Sequence, residues 1–201
     1  MKLQYQELTL AALDGLEADG LVLFVAEDVR PLRGLGDLVD WRLCGAVSRV
    51  LKSGRFRGEP GEALLLPGAG RIPVPRIFCF GVGKRADVTE PPFREAARRA
   101  LSAVARAGSR TVASELWPGL AAEAAADAWL AACAPLPDQR VVMMGDLRKL
   151  APAFRAAAEK SDFPVELPPP PAATPPPPRP AAGAPSRAAS GGGGHGRARG
   201  R

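Results

Sequence analysis

Arg76-Ile77-Phe78-Cys79-Phe80, Gly81-Val82-Gly83-Lys84 and Thr89-Glu90-Pro91-Pro92-Phe93 follow one another in a single stretch of the chain. Residues 77–80 run apolar without the period-2 alternation of a half-exposed strand, which predicts a strand covered on both faces. The glycines after it read as a turn. Thr89 is placed to cap a helix whose first turn tolerates Pro91 and Pro92, and Phe93, Ala97, Ala100, Leu101 and Val104 recur on one face of it. Gly108 ends that helix. Strand, turn and helix in this order form one unit of an α/β domain.

The same signals repeat on both sides of this unit. Residues 3–10 alternate loosely and predict an edge strand, residues 14–20 a turn, and Leu21-Val22-Leu23-Phe24-Val25-Ala26 a second buried strand. Asp37 is placed to cap one helix that carries Val39, Leu43, Val47, Val50 and Leu51, ends at Ser53-Gly54, and has Trp41 helping to bury it. Ala63-Leu64-Leu65-Leu66 predicts a strand joined by a hairpin to the one at residues 76–80. Downstream come a strand at residues 111–116, a helix at 120–134 with Ala124, Ala128, Trp129, Leu130 and Ala131 on its apolar face, and a strand at 139–144. A last helix follows Gly145-Asp146, and Pro152 kinks it or starts it. The alternation predicts an α/β fold of three layers, a mixed, mostly parallel sheet with helices on both faces.

Composition separates a body from a tail. Half of the 22 prolines lie within residues 164–185, followed by Gly191 to Gly194 and a Gly/Arg-rich end. Such a segment cannot build a packed core, so residues 1–163 are expected to form the domain and residues 164–201 a disordered tail. From residue 164 onward Arg179, Arg187, Arg197, Arg199 and Arg201 face only Glu166, a net +4. The whole chain carries +6, so the body holds +2 and lacks the basic balance of a nucleic-acid-binding groove. Arg197, Arg199 and Arg201 could give weak, salt-sensitive contact with phosphates, but no aromatic is interleaved for base stacking. The proline runs suit polyproline II and docking on a protein partner.

Residue counts remove several chemistries. Cys44, Cys79 and Cys133 are far apart, each in an apolar segment, and read as buried reduced thiols. The one histidine, His195, falls in the tail, which leaves the body without a histidine-based triad or a histidine-ligated metal. No uncharged apolar run approaches the roughly 18 residues of a spanning helix, and the first residues show no cleavage-site pattern. No membrane contact is expected, and the expected location is cytoplasmic.

Two clusters are candidates for chemistry. Glu27, Asp28, Arg30 and Arg33 crowd the carboxyl end of the strand at residues 21–26, where ligands sit in open α/β sheets. Gly81, Gly83 and Lys84 follow a strand and precede a helix, a setting in which backbone amides cradle phosphate, although the Walker and dinucleotide patterns are absent. Asp14, Asp19, Glu27, Asp28, Asp37 and Asp40 lack the spacing of a metal loop and carry interleaved arginines, so they read as solvated charge.

Asp19-Gly20-Leu21-Val22-Leu23-Phe24-Val25, Gly58-Glu59-Pro60-Gly61-Glu62, Val82-Gly83-Lys84 and Phe93-Arg94-Glu95-Ala96-Ala97, in this order and at these distances, resemble the N-terminal domain of leucyl (cytosol) aminopeptidases. The resemblance covers residues 3–116 and, more weakly, the chain to Met144. It implies a macro-domain-like α/β fold. The family's metallopeptidase chemistry resides in a C-terminal domain with two divalent metals on lysine and carboxylate ligands, and no residue of this sequence maps onto those ligands. No catalytic residue, metal ligand or cofactor is therefore expected. The resemblance implies a non-catalytic interaction or regulatory module whose partner is an aminopeptidase catalytic subunit or a second copy of itself. It leaves open part of a split metallo-aminopeptidase. The macro-domain likeness also leaves open a nucleotide or ADP-ribose-like ligand beside Glu27, Asp28, Gly81, Gly83 and Lys84.

Overall fold

Alternation of short apolar runs with amphipathic segments gives, in chain order, β1 (Lys2–Gln6), α1 (Leu10–Asp14), β2 (Gly20–Ala26), α2 (Leu35–Arg42), α3 (Ala46–Lys52), β3 (Ala63–Pro67) and β4 (Arg76–Gly83). They are followed by α4 (Glu90–Arg106), β5 (Thr111–Glu115), α5 (Ala122–Cys133), β6 (Arg140–Met144) and α6 (Leu147–Glu159). The computed structural model describes residues 1–136 and 138–169. The expectations for the tail beyond residue 169, including the contacts of Arg197, Arg199 and Arg201, lie outside the described residues.

One six-stranded sheet runs in the order β1-β6-β5-β2-β4-β3. All pairings are parallel except the β3–β4 hairpin. Strands buried on both faces need apolar residues at consecutive positions, and the sequence supplies them. Val22, Phe78, Phe80, Val141 and Met143 face α4, α5 and α6, whereas Leu21, Leu23, Val25, Ile77, Cys79 and Val142 face the layer of α1, α2 and α3. In the first layer Phe24 meets Phe93 and Trp129 edge-on, with ring centroids 5.1 and 5.9 Å apart. Thr89 holds the N-cap position of α4 through its backbone alone, and its side chain makes no capping bond.

Local chemistry redrew several elements. The single helix expected from Asp37 to Ser53 is two, because Cys44 (φ 54°) and Gly45 (φ 79°) are both left-handed and interrupt the ladder. Asp37 lies in the first turn of α2, where Gly34 holds the N-cap without a side-chain bond. Trp41 is not buried: it is 63 % exposed, with the Arg42 guanidinium 4.9 Å from its ring. Cys44 is likewise exposed, whereas Cys79 and Cys133 are buried. In α5 the core contacts come from Ala125, Ala126, Ala128, Trp129, Leu130, Ala132 and Cys133, while Ala131 points to solvent. Asp146 caps α6 by accepting from Arg148 N (3.0 Å), so Pro152 lies inside the helix and does not start it. Packed chain continues past Phe163: Glu166 bridges to Lys2, its backbone N donates to Met1 O (2.9 Å), and Val165 and Leu167 pack against the α4–α6 core.

Candidate functional site

The carboxyl ends of β2 and β4 are occupied by the chain itself. Gly81, Val82 and Gly83 do not form a turn; they are the last residues of β4, and the register slips by one residue where Val25 meets Gly81 and Ala26 meets Gly83. The glycines answer to the loop of residues 58–62, which lies across the strand. Gly81 N donates to Glu62 O (3.0 Å) and Gly83 N to Gly58 O (2.9 Å). A Cβ on Gly81 would collide with the Glu59 carbonyl oxygen and stand 2.6 Å from the carbonyl carbon of Gly58. Gly83 is left-handed (φ 84°), with Pro60 Cγ 3.0 Å from where its Cβ would stand.

Glu62 fills the amide nest of that loop. Its Oε2 accepts from Arg57 N (2.7 Å), Gly58 N (2.8 Å) and Glu59 N (3.1 Å). These bonds, the one from Arg57 foremost, hold its carboxyl below the ordinary range. Arg30 takes the free carbonyls: Nη1 donates to Ala26 O and Val29 O, each at 2.7 Å, and Nη2 to Arg57 O at 3.0 Å. Among the sequence candidates, Glu27 N donates to Gly83 O (2.9 Å) and Asp28 Oδ1 accepts from Arg85 N (2.9 Å). Lys84 stands exposed before the short 3-10 turn Arg85–Asp87. The structure thus brings Glu27, Asp28, Gly83 and Lys84 to one end of the sheet, with Gly81 one step inside.

The other carboxylates of the acidic group are dispersed. Asp14 pairs with Arg42, Asp19 Oδ2 accepts from Arg110 N and Thr111 N (2.9 Å each), and Asp40 accepts from Ser48 N (3.0 Å) and Ser48 Oγ (2.5 Å). Among the described residues no group of three or more His, Cys, Asp or Glu is placed to hold a metal ion.

A second crevice, which the sequence did not reveal, opens at the carboxyl ends of β5 and β6. It has a volume of about 430 Å³, and its lining includes Glu115, Trp117, Leu120, Asp146, Lys149 and Leu150. Glu115 ends β5 with its carboxyl against the start of α2, so close that a Cβ on Gly34 would fall 2.8 Å from Oε1. Burial pushes this carboxyl up to about 7, against the opposing pull of the Leu35 N–H. Trp117 is buried and its indole N–H has no acceptor among the described residues. Gly119 packs on that nitrogen, and a Cβ there would stand 2.6 Å from it. In the sequence Glu115 looks like the polar end of an apolar strand, and only the following Trp117-Pro118-Gly119 hints that the chain turns sharply over it.

Residues 22–134 match the family described as the cytosol aminopeptidase family, N-terminal domain. The chain belongs to the cytosol aminopeptidase family. A probable cytosol aminopeptidase from Ralstonia pickettii is 35 % identical over 118 residues, which are 55 % of this chain and 23 % of that protein. One from Cupriavidus metallidurans is 33 % identical over 114 residues, 55 % of this chain and 22 % of its own length. The match therefore spans less than a quarter of these cytosol aminopeptidases. In structure the domain is similar to tomato leucine aminopeptidase (TM-score 0.56, 18 % identity), covering 78 % of this chain and 34 % of that one. It is equally similar to the macrodomain of Mycobacterium tuberculosis DarG (TM-score 0.56, 17 % identity), covering 72 % of this chain and 97 % of that one. The fold of this cytosol aminopeptidase N-terminal domain is thus macrodomain-like.

Proposed function

We propose that the domain acts as a non-catalytic interaction or regulatory module for cytosol aminopeptidase chemistry carried by other residues than those described here. The observation that carries this reading is the occupancy of the strand ends: Glu62 satisfies the amides of residues 57–59, and Arg30 the carbonyls of Ala26, Val29 and Arg57. A nucleotide or ADP-ribose-like ligand at Glu27, Asp28, Gly81, Gly83 and Lys84 would have to displace bonds already made. Among the described residues two large apolar side chains remain exposed, Trp41 (63 %) on α2 and Leu65 (56 %) on the edge strand β3. Aromatic anchors and unpaired edges of this kind suit protein partners. The partner this reading names is an aminopeptidase catalytic subunit or a second copy of the chain, in the cytoplasm.

Two assays on the purified chain test it. With manganese or zinc and a leucine anilide substrate, no turnover is expected; release of the aniline by the isolated chain would overturn the reading. Millimolar ADP-ribose is expected to leave the melting temperature unchanged, and a saturable rise would favour the macrodomain-type alternative.

A further inference from the structure

We propose that the outer edge of β3 takes up an extended, acidic segment of a partner protein as a further strand, with a carboxylate of that segment on Arg99 and an apolar side chain against Leu65. The proposal rests on the reading of the domain as an interaction module and names where and how the partner docks. The ladder fixes which way the backbone of β3 points. Glu62 O accepts from Gly81 N (3.0 Å) and Gly68 N donates to Pro75 O (3.2 Å), in the antiparallel register that pairs Ala63 with Phe80 and Pro67 with Arg76. In such a ladder the N–H and C=O of one residue point the same way and alternate along the strand, so Leu64 and Leu66 bond to β4. The N–H and C=O of Ala63 and Leu65 and the C=O of Pro67 therefore point outward, and all three residues are exposed.

The surroundings select the chemistry of the added strand. Leu64 and Leu66 turn to the α1–α3 core, so Leu65 lies on the α4 side beside Phe78, its partner in the register, and is 56 % exposed there. On the same side half-buried Arg99 of α4 reaches the entry of β3: its Nη1 lies 3.6 Å from where a Cβ on Gly61 would stand. Its Nε is buried without an acceptor, and no ion pair among the described residues involves it. Glu95, one turn earlier on α4, is held by Arg98 through bonds of 2.9 and 2.7 Å. A carboxylate arriving beside Ala63 would answer this orphaned guanidinium with charge-assisted bonds. Charge decides against the other occupants. Pairing of β3 with a second copy would bring a second Arg99 to the edge, while the carboxylates that lead into β3 are engaged, Glu59 by Arg57 and Glu62 by the amides of residues 57–59. Residues 170–201 of the chain itself carry five arginines and no Asp or Glu.

NMR titration of the isotope-labelled full chain with an acetylated, amidated heptapeptide, Thr-Glu-Thr-Val-Thr-Glu-Thr, tests this. The peptide reads the same in both directions, so a parallel or an antiparallel strand sets valine beside Leu65 and glutamate beside Arg99. Saturable shifts of the Ala63 and Leu65 amide signals are expected, with affinity lower by about ten-fold or more when lysine replaces both glutamates. Arg99→Gln is expected to weaken the glutamate peptide by about five-fold and to leave a glutamine version of it unchanged. Leu65→Pro removes an outward N–H that β4 does not use, a change that edge strands tolerate, and is expected to abolish binding. If Leu65→Pro does not fold, the peptide series with Arg99→Gln decides. No saturable shift up to about 5 mM peptide, equal binding of the glutamate and lysine peptides, or shifts confined to residues away from β3 would overturn the proposal. A dimer of the chain alone that Leu65→Pro disperses would give the edge to a second copy and overturn it as well. A complex with an aminopeptidase catalytic domain that leaves the Ala63 and Leu65 signals in place would remove this docking mode and keep the interaction reading.

Discussion

Glu115 is a carboxyl whose charge opposes folding. Its value of about 7 in the folded chain lies above the ordinary 4.5, so the folded state holds the proton more tightly between those limits. Stability therefore falls as pH rises from about 4.5 to 7, and the whole penalty, up to roughly 3 kcal/mol, is present above 7. Glu115→Gln is expected to raise the urea midpoint at pH 8 and to leave it unchanged near pH 4.5; a gain of equal size at both would disprove the assignment. The thiols divide just as sharply. Burial pushes Cys79 and Cys133 up to about 12, whereas Cys44 is exposed. A maleimide is expected to label Cys44 alone in the native chain and all three cysteines in urea. Gly81→Ala drives a methyl into the loop of residues 58–62, and a loss of about 2 kcal/mol or more is expected by denaturant titration.

The break between α2 and α3 shows where helical periodicity misleads. Val39, Leu43 and Val47 keep a helical spacing and do face one core, so the pattern reads as continuous. Cys44 and Gly45 nevertheless turn left-handed, and Asp40 binds both the backbone and the hydroxyl of Ser48 across the break. Asp40→Ala is expected to cost about 1 kcal/mol, the usual loss of a capping carboxylate, while Asp37→Ala is expected to cost much less. The strands β2 and β4 were legible because doubly covered strands must be apolar at consecutive positions, and the hairpin because Pro67-Gly68 and Gly70 punctuate it. The glycines of β4 were not. A glycine that admits a neighbouring loop and one that makes a turn look alike until the loop is placed, and here the loop of residues 58–62 is distant in sequence. Glu115 was hidden for the same reason, since its neighbours Gly34 and Leu35 come from another part of the chain.

Taken as a molecule, the chain combines the family's N-terminal fold with carboxyl ends of β2 and β4 already satisfied internally, a β3 edge unpaired among the described residues and an exposed Trp41. These features suit a surface that meets another protein better than a cleft that turns over a substrate. The most direct test is sedimentation velocity of the purified chain mixed with the separately expressed catalytic domain of a cytosol aminopeptidase. A faster-sedimenting complex is expected, and Trp41→Ala is expected to weaken it without changing the melting temperature of the chain. Independent sedimentation of the two proteins, with the chain also monomeric by itself, would contradict the interaction reading.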